Sequence, residues 1–464
     1  MSTEVVILGA GLTGLSAAYH LKQPYEIFEK EQEVGGLCRS VRQDGFTFDF
    51  TGHLLHFSDR RIKDLIEAVC RVSWVSHQRR ASIYTYQTYL PYPLQAHLCG
   101  LPQRITCECL LGLLRAHQQY PLSLPAKNFE DWVIKNFGQG IGRHFLLPYN
   151  QKVWHVDPSE MTSDWAAFLI PVPNLEGVVR GCFNQNHQEY DSDCSTHSNQ
   201  PDHSTHSNQS DHSTHSNQPD HHSFYYPLEG GIEIFGRAFL PLISKVRVGM
   251  EAVRIDAHKK RIWFQDGQSV GYRQLISSMP LPEMVRMIAD APSEIKTMAE
   301  NLRYTSVFCL NLGVDREKIS DQHWIYFPEL KYSFYRVGFP SNFSSGMAPE
   351  GTSSLYAEIS HLPEERIDPE KMLRLVRSQL TDCGVLRQSD RIITHSVLDI
   401  PYAYVTFDFH RQKSLPFIQH YLRDQDIFSV GRYGAWNYSL MGHALVAGIE
   451  AAREVNALSA ATSP

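Results

Sequence analysis

The chain opens on a short run in which every position is apolar: Val5, Val6, Ile7 and Leu8. Such a run suits a strand covered on both faces, as parallel strands are when helices lie above and below them. From Leu12 to Leu21 small and apolar residues recur at helical spacing, and Pro24 closes the segment. Tyr25 to Glu29 then reads as a second strand, so the first thirty residues predict one βαβ unit. Beyond it the period changes several times. Arg61 to Gln119 has helical periodicity around a tyrosine-rich strand pair near Ile83 to Leu90, and Phe129 to Phe145 predicts a helix with Trp132, Ile134 and Phe137 as its apolar positions. Val246–Val253, Arg261–Phe264 and Val270–Ser277 have strand composition, with Asp266-Gly267 marking a hairpin turn. Leu310 to Leu355 is rich in β-branched and aromatic residues, which predicts a mostly antiparallel sheet. Ile427–Val430 reads as a last short strand and Ala444–Val455 as a last helix.

One stretch breaks this patterning. Residues 195–221 are three tandem copies of a nine-residue polar unit, STHSNQ(P/S)DH, which cannot bury a core and predicts a disordered surface insertion. Its histidines (His197, His203, His206, His212, His215 and His221) could instead form a metal-binding tract; the near-identity of the copies favours weak constraint. The expected organisation is α/β: a discontinuous Rossmann-type domain from 1–60, 224–300 and 425–464, a mainly helical subdomain over 61–190, the insertion over 191–223, and an antiparallel sheet domain over 301–424.

Composition narrows the class further. An apolar fraction of 42% with 20% charged residues is that of an ordinary globular protein, and a net charge of −7 argues against broad binding to nucleic acid or anionic membrane. No run approaches the ~18–20 apolar residues of a membrane span, and Met1–Glu4 shows no basic segment or cleavage site, so a cytoplasmic protein is expected. The nine cysteines are scattered rather than framed, which fits free thiols; Cys107 and Cys109 have no second pair at zinc spacing, and no metal site is expected.

The chemistry begins at Gly9-Ala10-Gly11-Leu12-Thr13-Gly14, between the first strand and its helix. Gly9 permits the tight turn, Gly11 lets the backbone approach a pyrophosphate, and Gly14 lets helix and strand pack closely. The helix N-terminus offers unpaired N–H groups and a positive dipole end to the phosphates. Glu29 ends the second strand, where an acid accepts hydrogen bonds from a ribose. Strand, glycines, helix, strand and acid in this order predict a bound dinucleotide.

Glu31 to Arg39 reads EQEVGGLCR, a second glycine pair beyond the ribose acid. ExxxGGxxR after GxGxxG resembles the extended fingerprint of FAD enzymes such as amine oxidases, protoporphyrinogen oxidases and UDP-galactopyranose mutases. Five further segments are similar to the mutases: FDFTGHLLHF (Phe48–Phe57), YPLQ (Tyr92–Gln95), PYNQKVW (Pro148–Trp154), WIYFP followed by Phe334-Tyr335-Arg336, and GRYGAWNY (Gly431–Tyr438). The resemblance implies FAD as cofactor, held by Leu12, Thr13, Lys30, Gly36, Leu37, Arg39, Gly52, His53, Val253, Arg432 and Leu440 besides the motif residues above. It implies a small-molecule substrate, a nucleotide sugar, lined by Tyr92, Gln95, Asn150, Trp154, Tyr326, Arg336, Tyr402 and Tyr438. His53 beside the flavin, Arg336 on the diphosphate and Tyr438 facing it carry the catalytic roles. Arg336 also suits a diphosphate geometrically, through its planar fork of donors. His53 could merely satisfy backbone groups, Trp154 could be core, and Tyr402 and Tyr404 could pack between strands.

The pattern is broken in three places. Leu169 stands where the mutases carry a second diphosphate arginine, leaving Arg143 or Arg303 to compensate; an asparagine expected before Phe224 is absent, near His221 and His222; and Ser341-Asn342-Phe343 lacks a tyrosine hydroxyl. The reading is a nucleotide-sugar mutase that interconverts pyranose and furanose rings with reduced flavin N5 as nucleophile. The alternatives are an oxidoreductase of the protoporphyrinogen oxidase or amine oxidase type and a flavoprotein subunit without catalysis.

Overall fold

The computed structural model describes residues 2–56, 59–121, 124–183 and 223–461. The repeat at 195–221, Phe57 and the His221-His222 position lie outside the described residues. Strand β1 (Ser2–Leu8), helix α1 (Leu12–His20) and strand β2 (Tyr25–Phe28) form the βαβ unit. Val5, Val6 and Ile7 are wholly buried because β1 runs parallel between β2 and the strand Ser269–Ser277, with helices over the sheet. Val246–Arg247 extends the sheet beyond β2, and Ile427–Ser429 lies parallel to the far end of Ser269–Ser277. An antiparallel hairpin, Ala252–Asp256 with Arg261–Phe264, completes one edge. The C-terminal helix Met441–Ala461 then lies along α1, where the Ser16 hydroxyl donates to Leu445 O at 2.8 Å.

A second sheet forms the other half. Among the described residues its order is Ile392–Val405, Tyr304–Val314, Ser353–His361, Arg336–Gly338, Trp324–Tyr326, Ala81–Thr85 and Thr88–Pro91. Every pairing is antiparallel except that of Trp324–Tyr326 with Ala81–Thr85. Tyr304–Val314 is paired along both sides, to Ile392–Val405 and Ser353–His361, and all of it after Tyr304 is buried. Directly opposed residues share a face. The register Tyr326↔Arg336, Arg336↔Glu358 and Glu358↔Cys309 therefore aligns these four side chains in one row across the sheet.

Three expectations are corrected in detail. The strand expected over Val246–Val253 is two strands, because Gly249 (φ +69°) turns the chain and the Gly249 and Met250 amides donate to the carbonyl oxygens of Glu31 and Glu29. The helix expected over Phe129–Phe145 is α-helical only to Ile141 and widens into a π turn at Gly142–Leu146. Gly138 interrupts it at φ +74°, where its backbone touches that of Gly112 on the helix Gln103–Gln119 so closely that a Cβ would sit 2.2 Å from the Gly112 oxygen. Finally, the stretch from Arg61 to Gln119, expected to be helical around a strand pair near Ile83–Leu90, carries that pair as the hairpin of Ala81–Thr85 and Thr88–Pro91 in the second sheet, and also an unexpected strand, Trp74–Gln78, which pairs with Ser223–Pro227. Backbone pairing with a segment distant in sequence overrides local helical period at Trp74–Gln78.

Gly448 shows how tightly the C-terminal helix is docked: a Cβ there would lie 2.4 Å from Thr13 O and 2.8 Å from Ala17 N. Alanine normally favours a helix over glycine by about 1 kcal/mol, but neither backbone can yield alone. Gly448→Ala should therefore destabilise the protein by about 1–3 kcal/mol, read as a lower thermal midpoint with accompanying loss of flavin.

Candidate functional site

Between the two sheets runs a continuous cavity of about 1020 Å³. That is the upper end of the ~300–1,000 Å³ common for single-ligand pockets, as suits a dinucleotide with a substrate beside it. One end is built by the β1–α1 turn. Gly9 has φ +97°, its N–H donates to Phe28 O at 2.9 Å, and a Cβ on Gly14 would lie 2.0 Å from Gly9 O. Gly11 caps α1 without a side chain, so the first-turn amides around Leu12 and Thr13 stay available to phosphate. Glu29 is buried, its carboxylate accepting from the Ala10 amide at 2.7 Å and the Glu31 amide at 3.0 Å, which aims the acid along the cavity wall. The second glycine pair docks on this turn through a bridge between Gly11 and Gly35, with Gly35 N donating to Ala10 O at 2.8 Å. Gly36, Leu37 and Arg39 thereby reach the cavity; Arg39 donates to Gly36 O at 2.7 Å and pairs with Glu31 at 3.1 Å. Lys30 and Val253 line the same end with much of their side chains exposed.

The other end carries Gly52, His53, Arg432, Tyr438 and Leu440. Thr51 holds a left-handed φ of +70°, a costly conformation for a β-branched residue, and so presents Gly52 and His53 to the cavity. Burial, aided by Arg432 and Arg336, pushes the His53 imidazole down to about 4, so it is neutral at neutral pH. Its Nδ1 and the Arg432 Nε are buried without a partner among the described residues. Arg432 otherwise donates to Ser439 O at 2.8 Å and Ala403 O at 2.7 Å, with Tyr438 under its guanidinium at 4.7 Å. A glycine cradle with free helix amides at one end and unfilled polar atoms at the other fits FAD.

The substrate side is aromatic. Tyr92 packs on Tyr326 (ring centres 5.2 Å apart) and Tyr149 on Tyr326 (5.7 Å), while the Tyr335 and Tyr404 hydroxyls lie 3.2 Å apart. Burial holds the phenols of Tyr92, Tyr149, Tyr335 and Tyr404 above the usual tyrosine range, so they act as neutral hydrogen-bonding groups. Tyr402 lines the cavity too, but its hydroxyl donates to Glu283 and its ring packs on Tyr304.

Several expected roles look different in place. Arg336 reaches the cavity, yet its Nε and Nη2 both go to the fully buried Glu358, at 2.5 and 2.8 Å. Only its Nη1 and one Nη2 hydrogen remain for a ligand, and its charge is already balanced. Asn150 and Trp154 spend polar groups on each other: the Trp154 indole donates to Asn150 Oδ1 at 3.0 Å, and Asn150 Nδ2 donates to Leu146 O at 2.8 Å. Trp154 is buried among Trp165, Tyr404 and Phe407 while still lining the cavity. Gln95 donates to Pro171 O at 2.9 Å and keeps a buried Oε1 without a partner among the described residues. Leu169 lines the cavity beside Ile170, but neither Arg143 nor Arg303 does; Arg143 is exposed and Arg303 pairs with Glu160 at 2.9 Å. Phe343 is buried against Phe224 and Tyr226, outside the cavity, so the missing hydroxyl there alters the core. Sequence reasoning missed Tyr149 and Arg79, which line the cavity, and Glu358, buried behind Arg336, because only strand register and helix packing bring them there. Among the described residues no group of three or more His, Cys, Asp or Glu is placed to hold a metal, and no helix is long and apolar enough to cross a membrane.

A phosphate-binding turn, a ribose acid and a polar flavin pocket facing an aromatic chamber define an FAD-dependent enzyme. The comparisons agree. The chain belongs to the flavin containing amine oxidoreductase family, whose model matches residues 12–456. A crystal structure of reduced UDP-galactopyranose mutase superposes with a TM-score of 0.86 at 28% identity, covering 100% of this chain and 97% of the other. A putative protoporphyrinogen oxidase from Exiguobacterium sp. 255-15 gives 0.72 at 15% identity, covering 99% of both chains. Wild-type putrescine oxidase bound to putrescine gives 0.63 at 14%, covering 98% and 99%; these two likenesses speak for the fold alone. The curated 4,4'-diapophytoene desaturase of Staphylococcus aureus (strain COL) is 34% identical over 93 residues, and the chain spans only 18% of its length.

The neutral His53 has a consequence for stability. Its pKa is about 4 in the fold and about 6.5 in the unfolded chain, so between these values the unfolded chain takes up a proton that the native state refuses. Stability from this residue is complete above about pH 6.5 and falls as the pH drops towards about 4. Replacing it, His53→Gln, should flatten the decline of the melting temperature over that window, relative to wild type in the same buffers.

Proposed function

We propose that the protein is a nucleotide-sugar mutase that interconverts pyranose and furanose rings while its flavin is reduced. One observation carries this reading: the likeness to reduced UDP-galactopyranose mutase extends over the whole chain, at nearly twice the identity of the oxidase structures. When bound, reduced FAD supplies a nucleophilic N5 for the anomeric carbon. The chain's own residues orient the sugar, hold the departing diphosphate and exclude water. Tyr326, Tyr149 and Tyr92 form an aromatic wall whose hydroxyls hydrogen-bond the sugar and its phosphates, those of Tyr149 and Tyr92 held neutral by burial. Arg336 offers its remaining N–H groups, held in one plane by Glu358. His53, neutral and with Nδ1 unfilled, is suited to hydrogen-bond the flavin edge. Tyr438, against Arg432, faces the leaving group. Asn150 and Trp154 shape the nucleotide side by contact.

The test is direct. Dithionite-reduced protein incubated with UDP-galactofuranose should yield UDP-galactopyranose by liquid chromatography, and oxidised protein should not. No conversion of this or other nucleotide sugars, with oxygen-dependent turnover of a small substrate, would establish the second reading. That reading, an oxidoreductase, is favoured by one feature: Leu169 and Ile170 make part of the wall apolar, and Arg336 is already neutralised. If charge limits the mutase, Leu169→Arg should raise kcat/KM on the nucleotide sugar by about 10-fold or more, the scale of one charge-assisted hydrogen bond. An unchanged or lower value would mean that the leucine is part of a differently shaped substrate pocket.

A further inference from the structure

Five guanidinium groups line the cavity: Arg39, Arg79, Arg286, Arg336 and Arg432. Four have commitments. Arg39 pairs with Glu31, Arg286 with Glu283, Arg336 with the buried Glu358, and Arg432 donates to two carbonyl oxygens. Arg79 makes no hydrogen bond or ion pair among the described residues. Its guanidinium lies over Tyr92, with the guanidinium carbon 4.8 Å from the centre of the ring. Stacking occupies a face of the guanidinium and leaves its five N–H donors free at the edge. It also favours one orientation, so less freedom is lost when a ligand is gripped.

The backbone around Arg79 is equally constrained. Residue 79 lies in the short link between Trp74–Gln78 and Ala81–Thr85. Its neighbour is clamped twice: Arg80 N donates to His323 Nδ1 at 3.0 Å, and His323 N donates to Arg80 O at 2.7 Å. His323 is buried, and burial pushes its imidazole down to about 3, so Nδ1 stays an acceptor. Tyr92 is fixed by its own amide, which donates to Ala81 O at 3.1 Å. Tyr92 packs on Tyr326, which stands opposite Arg336 in the sheet register. Arg79 and Arg336 thus flank one pair of tyrosine rings, the first with its charge uncompensated and the second with its charge balanced.

We infer that Arg79, stacked on Tyr92, is the principal anion ligand of the substrate chamber and takes phosphoryl oxygens of a nucleoside diphosphate. This rests on the nucleotide-sugar reading above. Arg336 then serves as an oriented hydrogen-bond donor beside the reacting sugar, and the burden expected of a second diphosphate arginine falls on Arg79 in place of Leu169.

The test is equilibrium binding of UDP and of uridine to the flavin-loaded protein by isothermal titration calorimetry, for wild type, Arg79→Met and Arg79→Lys. Arg79→Met keeps an unbranched stem over Tyr92 and removes the charge. It should weaken UDP by about 10- to 100-fold and leave uridine within about twofold, with flavin absorbance and melting temperature unchanged. Arg79→Lys should recover part of the loss, and the salt dependence of UDP binding should be shallower in Arg79→Met than in wild type. UDP binding equally tight in Arg79→Met and wild type would overturn the inference while the nucleotide-sugar reading stood. Equal losses for UDP and uridine would overturn it too, since they would mark a packing role for the side chain. Failure of wild type to bind UDP at all would overturn the nucleotide-sugar reading, and this inference with it.

Discussion

The turn from β1 into α1 is so tightly enclosed that the rest of the molecule is arranged by what can approach it. Gly9 donates to Phe28 O, the Gly35 amide reaches Ala10 O, and Ser278 N donates to Leu8 O at 2.9 Å. From the C-terminal end, a Cβ on Gly431 would lie 2.4 Å from the Thr13 hydroxyl, and one on Gly448 would lie 2.4 Å from Thr13 O. Segments hundreds of residues apart must therefore return to one place, with backbone facing backbone. The return draws the second sheet over the open end of the first and creates the cavity between them. It also explains why the flavin-binding half cannot be one continuous stretch of chain.

A second constraint acts inside that cavity. Glu358 is wholly buried on the second sheet, and an unpaired carboxylate there would cost several kcal/mol. Arg336, directly opposite in the register, meets it with two hydrogen bonds. The pair satisfies the sheet but balances the charge of the arginine that had been expected to hold a diphosphate. Neutral Tyr92, Tyr149, Tyr335 and Tyr404 add uncharged hydroxyl groups to the wall. Such a chamber favours a ligand that brings its own charge to one place and its hydroxyl groups to another.

Much of this was legible in the chain. The apolar run at Val5–Leu8, the glycines at 9, 11 and 14, and Glu29 announce the dinucleotide fold because each local requirement (burial on both faces, a tight turn, an acid at a strand end) is met by one residue type at one spacing. FAD follows from the second glycine pair, and the resemblance located the cavity segments around His53, Tyr92, Tyr326 and Arg432. What could not be read was partnership. Arg336 looked free because Glu358 is 22 residues away in sequence and opposite only through antiparallel register. Asn150 and Trp154 are four apart on one helix, so a mutual hydrogen bond was within reach of helical geometry, yet which groups they would choose depended on the packing around them.

By itself, then, the sequence determined the kind of nucleotide grip, the strands and helices that carry it and the cofactor it suits, because these rest on local steric and hydrogen-bonding rules. The tertiary structure decided which charged groups are already spent and which are available. Arg79 illustrates the division: in sequence it is one of two adjacent arginines after a histidine and a glutamine, with nothing to distinguish it. Only the clamp of Arg80 on His323 and the stacking on Tyr92 turn it into the cavity and leave its donors free. Charge balance in a buried cavity is a long-range property, settled by which side chains the folded backbone brings within a few ångströms of each other.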